Sequence, residues 1–469
     1  MDWNSFISSR RRRLNAVHIN RRGCYILYWM QQSQRAACNQ ALEHAVHEAN
    51  RLGLPVMVTF GLTPDYPEAN RRHYVFMLEG LANTAQRLLK RGIPMEIQIG
   101  SPPEVALKAS RQAALLVCDR GYLRHQIQWR RAVARQAPCP VVEVESDALV
   151  PVEMVSQKAE YAARTIRPKL HRTLNRYLVP LPLNKLVTSD PDLAAATDFH
   201  HLMEKLEMKG HIRPVSPFFK GGYAEARKRL KVFLRQKLPF YSQRRSHPNH
   251  DGGSMMSPYL HFGQISPLEI ALKVQKSDAP HEAKEDYLEE LIVRRELAIN
   301  YVTYSRHYDT YAGLPQWARS TLKAHTADPR DPVYSLKQLE SAQTHDAYWN
   351  AAMNEMKWTG YMHNYMRMYW GKKILQWRPR PQDAFKTILE LNNKYFIDGR
   401  DANSYAGVGW IFGLHDQAWK ERPVFGKVRY MARSGLDRKF DMQGYLEKIA
   451  LRIAGFQKEA GKKPINPDG

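Results

Sequence analysis

Residues 365–377 read YMRMYWGKKILQW. Two indoles, Trp370 and Trp377, stand seven residues apart in a run of helical character that also carries Arg367, Lys372 and Lys373. Positions seven apart on an α-helix share a face, about 10.5 Å apart along the axis. Large aromatic rings in line can relay a single electron. They can equally anchor a core, and for any one of them the core is the stronger reading. Two further indoles, Trp349 in HDAYWNAA and Trp358, lie shortly upstream.

Two other stretches gather polar groups at useful spacing. YFIDGRDANSYAGVGW (395–410) brings Asp398, Arg400, Asp401 and Asn403 into a glycine-bearing loop between helical segments. Arg367 can reach Asp398, and a buried Arg–Asp pair costs desolvation unless it serves a further purpose, such as holding a polar ligand. An Asx-type turn capping a helix accounts for the same residues equally well. NHDGGSMMSPYLHFGQISP (249–267) sets Ser254 and Ser257 after two glycines and before a helix, where hydroxyls and backbone N–H groups suit phosphate oxygens. With no lysine in the loop this is not a P-loop, and Ser254 as a plain N-cap is the simpler reading. There is no HExxH, no GxSxG and no Cys/His cluster, so hydrolytic and metal catalysis have no support and no metal is expected.

The elements that must position these residues fall into two halves. Apolar runs at 25–30, 56–62, 95–100, 114–120 and 141–146 alternate with helical stretches. Such alternation implies a doubly wound α/β domain with about five parallel strands, over residues 21–150. The GxGxxG dinucleotide fingerprint is missing after its first strand. From 151 to 215 the pattern weakens and prolines accumulate, which reads as a long surface connector. Residues 216–460 are helical in period almost throughout; YLEELIVRRELAINYVTY (287–304) is one clear case.

The chain has 469 residues, 43% of them apolar, so two or three domains are expected. No window reaches 18 uninterrupted apolar residues, which argues against a membrane span. The start, MDWNSFISSRRRRLN, has no apolar h-region and is not a secretory signal. Cys24, Cys38, Cys118 and Cys139 have no metal-ligand spacing. So few cysteines in a long chain suit a reducing cytoplasm. Cys24 and Cys118, in or beside apolar runs, are expected to be buried thiols. A net charge of +24 and a pI near 9.8 point to a polyanionic partner, with a solvated basic surface as the plainer alternative.

Taken in order, YLEELIVRREL, SPYLHFGQISP, HNYMRMYWGKKILQW, LNNKYFIDGRD and HDQAWKERPVFGKVRYM make the chain resemble class II cyclobutane pyrimidine dimer photolyases of the photolyase/cryptochrome family. The likeness runs from RRGCYILYWMQQSQRA (21–36) to PVFGKVRYM (423–431). It implies an α/β antenna domain, a linker and an all-helical domain holding a U-shaped, fully reduced FAD. Excited by light, that flavin lends one electron to a dimer flipped out of DNA, the cyclobutane ring splits, and the electron returns.

The resemblance also assigns residues. Tyr241, Arg245, Ser254, Met255 and Ser257 match the FAD-binding segment, Arg367 and Asp398 the ion pair beside the flavin ring, and Asn392 the side chain facing flavin N5; Asp401 joins them as a cofactor contact. Glu296 matches the glutamate that hydrogen-bonds the dimer, and its pKa must be raised by burial if it is to stay protonated at neutral pH. Met368 and Trp410 match apolar walls of the dimer pocket, with Asn364 at a pocket-facing position, and Trp419 and Arg429 match the groups that fill or brace the opened duplex. Trp370, Trp349 and Trp377 match the tryptophan chain of photoactivation, with Trp370 next to the flavin and Trp377 near solvent.

Departures from the class II pattern are Asn364 in HNYMRMYW, LNNKYFIDG in place of LNDKYEIDG, GGSMMSPY in place of LSNLSPY, and a one-residue shortening between Trp410 and His415. An antenna pigment of the 8-HDF deazaflavin type, or an empty antenna site, is expected, in a monomer acting on dimer-bearing DNA. The rival readings are a cryptochrome-like light sensor without repair, a flavin-free nucleic-acid-binding protein, and specificity for (6-4) lesions.

Overall fold

The computed structural model describes residues 3–193, 197–206 and 212–462. Six strands form one sheet: β1 (Arg11–Arg13), β2 (Tyr25–Trp29), β3 (Val56–Leu62), β4 (Met95–Ile99), β5 (Ala113–Asp119) and β6 (Val141–Val144), in the order β1-β6-β5-β2-β3-β4. The five apolar runs are β2–β6, parallel to one another. Strands β2, β3 and β5 are buried along their whole length, so both faces need helical cover. Crossover helices Gln40–Leu52, Arg71–Leu89, Pro102–Ser110 and Arg124–Gln136 supply it.

The sixth strand corrects the expected count and the expected start at residue 21. Strand β1 is an arginine tract, exposed throughout and antiparallel to β6. It carries no hydrophobic alternation, so periodicity could not reveal it. Arg12 pairs with Glu143 at 3.0 Å, and the row of charges blunts the sheet edge. The connector is also more regular than its prolines suggest, with helices Val152–Val155, Ala163–Tyr177 and Phe199–Lys205. Pro168 lies inside the second of these, which survives by burying Ile166, Leu170 and Tyr177. Cys118 is buried as expected; Cys24 is exposed, because it stands just before β2 rather than in it.

The second half is built from helices joined by loops, with one isolated bridge, Arg422 to Gly426, among its described residues. YLEELIVRRELAINYVTY is not one uniform helix: helix His281–Leu288 passes through a π-helical turn, Glu289–Arg294, into helix Arg295–Tyr304. A π turn inserts an extra residue per turn and re-aims the side chains on either side of it. The two halves are joined by buried polar contacts. Arg72, at the start of helix Arg71–Leu89, is 1% exposed and donates to the carbonyls of Met356 (3.1 Å), Lys357, Tyr395 (2.6 Å) and Arg213 (3.2 Å). It thereby satisfies carbonyls at the C-terminal ends of helices Ala347–Thr359 and Pro381–Tyr395. At Gly263, φ is +63° and an added Cβ would meet the Gln32 carbonyl oxygen at 2.2 Å, so only glycine lets SPYLHFGQISP lie against the loop after β2.

Arg72→Met keeps the bulk and removes the donors. It is expected to cost about 3 kcal/mol of stability, from charged hydrogen bonds lost to buried carbonyls. Urea unfolding followed by tryptophan fluorescence measures the loss.

Candidate functional site

Helices Ala347–Thr359 and Asn364–Trp377 pack together and carry the indoles. Asp346 caps the first, accepting from the backbone N–H of Tyr348 and Trp349 at 3.1 Å each, and also accepts from the Tyr369 hydroxyl on the second. One carboxylate thus sets both helices in register. Trp349 donates its indole N–H to the Trp370 carbonyl at 3.0 Å, and the Trp349 and Trp377 rings meet edge to face at 5.5 Å. The three expected indoles are therefore brought together, while Trp358 stands apart under Arg213.

The expectation that Trp377 lies near solvent is not met: it is 1% exposed. Tyr334 and His345 cover it, with ring centroids 5.2 and 5.4 Å away, and share a hydrogen bond of 2.7 Å. Neither was found from sequence, since both lie in an irregular stretch before the first indole helix.

At the other end of the array, Arg367 pairs with Asp398 at 3.1 Å, as expected. Its guanidinium lies 3.7 Å from the centroid of Phe396, whose ring is 6.3 Å from that of Trp370. Phe396, one of the departures in LNNKYFIDG, thus supplies an aromatic face where a carboxylate would compete with Asp398 for the guanidinium. Asn393, the other, accepts from the Arg400 N–H at 3.1 Å and donates to Glu68, a contact that an aspartate could not make without placing two carboxylates together. Asn392 is buried and its amide donates to Asn393 at 2.9 Å and to Ser404, so its orientation is set.

His363 links this region to the segment expected to bind phosphate. It caps the helix of Arg367 and lies 3.0 Å from the Arg245 carbonyl oxygen. Arg245 sits 5.8 Å from the Tyr241 ring, which packs on Phe233 and Tyr287. Met255 adopts φ +56°, Ser254 accepts from the Met256 N–H at 3.4 Å, and Ser257 opens the short helix Ser257–His261. The capping position of that helix is Met256, so the N-cap reading of Ser254 does not hold. The Trp370 indole N–H is buried with no acceptor, while Arg367 and Asp398 keep 18% and 12% of their side-chain surface exposed. An unsatisfied donor beside a charged pair fits a polar, planar group such as the flavin ring of FAD. Asp401 stands elsewhere, before helix Ala402–Ile411, with one carboxylate oxygen 3.9 Å from His261 Nδ1.

An open cleft of about 830 Å³ gathers Asn364, Met368, Trp410, Trp419 and Arg429 with Arg245, Tyr365 and Tyr430. All five side chains expected to meet the dimer, apart from Glu296, line it. The shortening before His415 has not displaced Trp410, whose ring lies 5.2 Å from the Arg429 guanidinium; Trp419 lies 4.3 Å from the same group on the other contact. Asp416 holds Arg429 at 3.1 Å. Trp419 is 44% exposed, an apolar blade on a basic rim.

Glu296 lies apart from the residues that line the cleft. It is 1% exposed and accepts from the Leu149 N–H at 2.7 Å, while its second oxygen has no partner. Burial drives its pKa up to about 8, against the lowering effect of Arg295 and of the Leu149 bond, so it is protonated at neutral pH as the sequence reading required. Arg245, which lines the cleft, pairs with Glu290, half exposed and 3.2 Å away. Glu296 stands in the first turn of the helix that follows the π turn Glu289–Arg294, which contains Glu290.

A second pocket lies where the strand order reverses between β2 and β5. Gln31, Gln32, Thr63 and Gln126, just beyond the carboxyl ends of β2, β3 and β5, line it together with His261, Phe262 and Arg400 of the helical half. Ligands of doubly wound sheets bind at this switch point. Buried Asp119, at the end of β5, shapes the loop by accepting from the N–H groups of Gln31, Gln32 and Ser33, the last at 2.7 Å.

The model of the DNA photolyase family matches residues 26–186. The deoxyribodipyrimidine photo-lyase of Methanothermobacter thermautotrophicus is 48% identical over 443 residues, covering 94% of this chain and 98% of that protein. In fold, the chain is similar to a bacterial class III photolyase from Agrobacterium tumefaciens (TM-score 0.75, 18% identity, 96% of this chain and 94% of that one). It is also similar to an archaeal photolyase from Sulfolobus tokodaii with two FAD molecules (TM-score 0.68, 15% identity, 90% and 89%). The chain belongs to the DNA photolyase family.

Glu296 makes a pH prediction. Its folded pKa lies above its unfolded one, so the unfolded state sheds the proton first as pH rises, and stability falls between about 4.5 and 8 by up to about 1.4 kcal/mol per pH unit. Glu296→Gln keeps an acceptor for Leu149 and removes the titration. The variant's stability, measured by denaturant melts, should gain on the parent protein steadily across that window and level off above it.

Proposed function

We propose that this protein is a light-driven carbon–carbon lyase of the class II type that reopens cyclobutane pyrimidine dimers swung out of duplex DNA. The observation that carries this reading is the open cleft: an apolar wall of Met368 and Trp410, polar Asn364 and Arg245, and an exposed blade of Trp419 braced by Arg429. A light sensor without repair has no need of such a wedge and pocket beside a basic rim. FAD, when bound, supplies light absorption and the single electron that the ring opening requires.

The chain's own residues divide the remaining tasks. Arg367 offers positive charge to a reduced ring and Asp398 fixes its direction; Asn392, with its amide held by Asn393 and Ser404, presents a set orientation. Trp410 and Met368 receive the apolar faces of the two pyrimidines, and Asn364 with Arg245 meets their polar edges. Trp419 and Arg429 occupy the space the dimer leaves in the stack, offsetting the cost of unstacking. Trp377, Trp349 and Trp370 form a buried route for one electron toward the site. The cavity at the switch point suits a planar antenna pigment of the deazaflavin or flavin type, in keeping with the two FAD molecules of the Sulfolobus tokodaii photolyase.

Trp370→Phe should abolish photoreduction of the oxidised flavin while leaving repair by chemically reduced protein within about twofold; absorbance under blue light and a repair assay on a dimer-bearing oligonucleotide separate the two. Normal photoreduction in this variant removes the electron route. Trp410→Ala removes one stacking face and should weaken binding of dimer-bearing DNA by about 10–100-fold, with flavin content unchanged.

A further inference from the structure

The dimer cleft uses only part of the molecule's positive charge. A larger groove, about 1930 Å³ and sharing no residue with that cleft, is lined by helix Tyr223–Val232, its π-helical continuation Phe233–Lys237, and helix Pro267–Gln275 with the turn after it. Lys228, Lys231 and Arg235 lie at three- and four-residue intervals, a row of about 10.5 Å along a helix axis. Lys273 and Lys276 stand on the other helix and its turn, and Arg87 reaches in from the α/β half. None of these six makes an ion pair among the described residues. Arg227 alone of the lining cations is paired, with Glu269 at 3.8 Å, and Asp278 is the only carboxylate in the lining. Arg87 lies over the Tyr223 ring at 4.4 Å and keeps a buried Nε without an acceptor.

Crowding unpaired cations around one groove is unfavourable unless an anion with several charges neutralises them. The ligand must match a row, not a point. Successive phosphates of a DNA strand advance about 3.4 Å along the duplex axis, so the row of Lys228, Lys231 and Arg235 spans about three of them. No lining aromatic is free to stack on a base, because Tyr223 is 5% exposed. We infer that this groove is a second DNA-binding site, which holds the sugar–phosphate backbone of duplex DNA irrespective of sequence and lesion. It adds contacts to DNA outside the reach of the dimer cleft. The inference is independent of the repair reading, because it concerns undamaged DNA and needs neither light nor flavin chemistry.

The test is a holoprotein carrying Lys228→Gln, Lys231→Gln and Arg235→Gln, titrated with a long undamaged duplex over a range of salt. Losing three phosphate contacts should make the negative slope of log K against log salt shallower by about 2.7, while single-turnover repair of a short dimer-bearing oligonucleotide stays as in the parent. A control of equal net charge, Lys108→Gln, Arg131→Gln and Arg135→Gln on the α/β half, should leave the slope as it was. An unchanged slope in the groove variant, or an equal flattening in the control, overturns the site. If the triple variant loses its flavin spectrum or melts early, Lys273→Gln with Lys276→Gln on the facing side reads the same quantity, with an expected flattening of about 1.8; no flattening there is equally decisive.

Discussion

One guanidinium, that of Arg72, holds the C-terminal ends of two helices of the second half against the first. Helix ends leave carbonyls without partners, and burying them unsatisfied would cost more than the apolar contacts around them return. Because Arg72 answers several at once, helix Ala347–Thr359, which carries Trp349, and helix Pro381–Tyr395, which carries Asn392, stop at defined places and at a defined distance from the sheet. The cavity at the strand switch point and the environment of Arg367 are both consequences of that docking.

From there the site is assembled by short polar links that each serve two elements. Asp346 caps one indole helix and receives the Tyr369 hydroxyl of the other. His363 caps the helix of Arg367 and meets the carbonyl of Arg245. Arg429 is held by Asp416 and lies against both Trp410 and Trp419. In each case a group that satisfies a backbone end or a buried charge also sets the direction of a functional side chain, so stability and function are written into the same contacts. The indoles follow the same rule: they are core residues by burial, and their usefulness for electron transfer comes from being packed edge to face within that core.

Much of this was legible in the chain. Five strands announced themselves as apolar runs, and Arg367 with Asp398 could be paired across their separation because a strongly basic region leaves few other uses for an acid. Asn364, Met368, Trp410, Trp419 and Arg429 converge on one cleft although they span three separate stretches of chain. What stayed hidden has common physical origins. Strand β1 is all arginine and owes its place to charge and edge pairing, which have no period. Glu296 was assigned from the resemblance of its stretch, and the residues alone could not show that a π turn precedes it or that it is buried against the Leu149 N–H. Trp377 was placed near solvent, yet Tyr334 and His345, from a stretch with no pattern of its own, close over it.

By itself the sequence determined the division into a parallel sheet half and a helical half, the basic character that calls for a polyanion, and the identity of the side chains able to do the chemistry, because periodicity, net charge and residue type are local or summed properties. Only the tertiary structure decided that Glu296 is sealed away and protonated, how the indole array is closed off from water, and where unpaired cations collect into a second groove. Those outcomes depend on burial and on partners far apart in the chain, and neither quantity exists until the chain has folded.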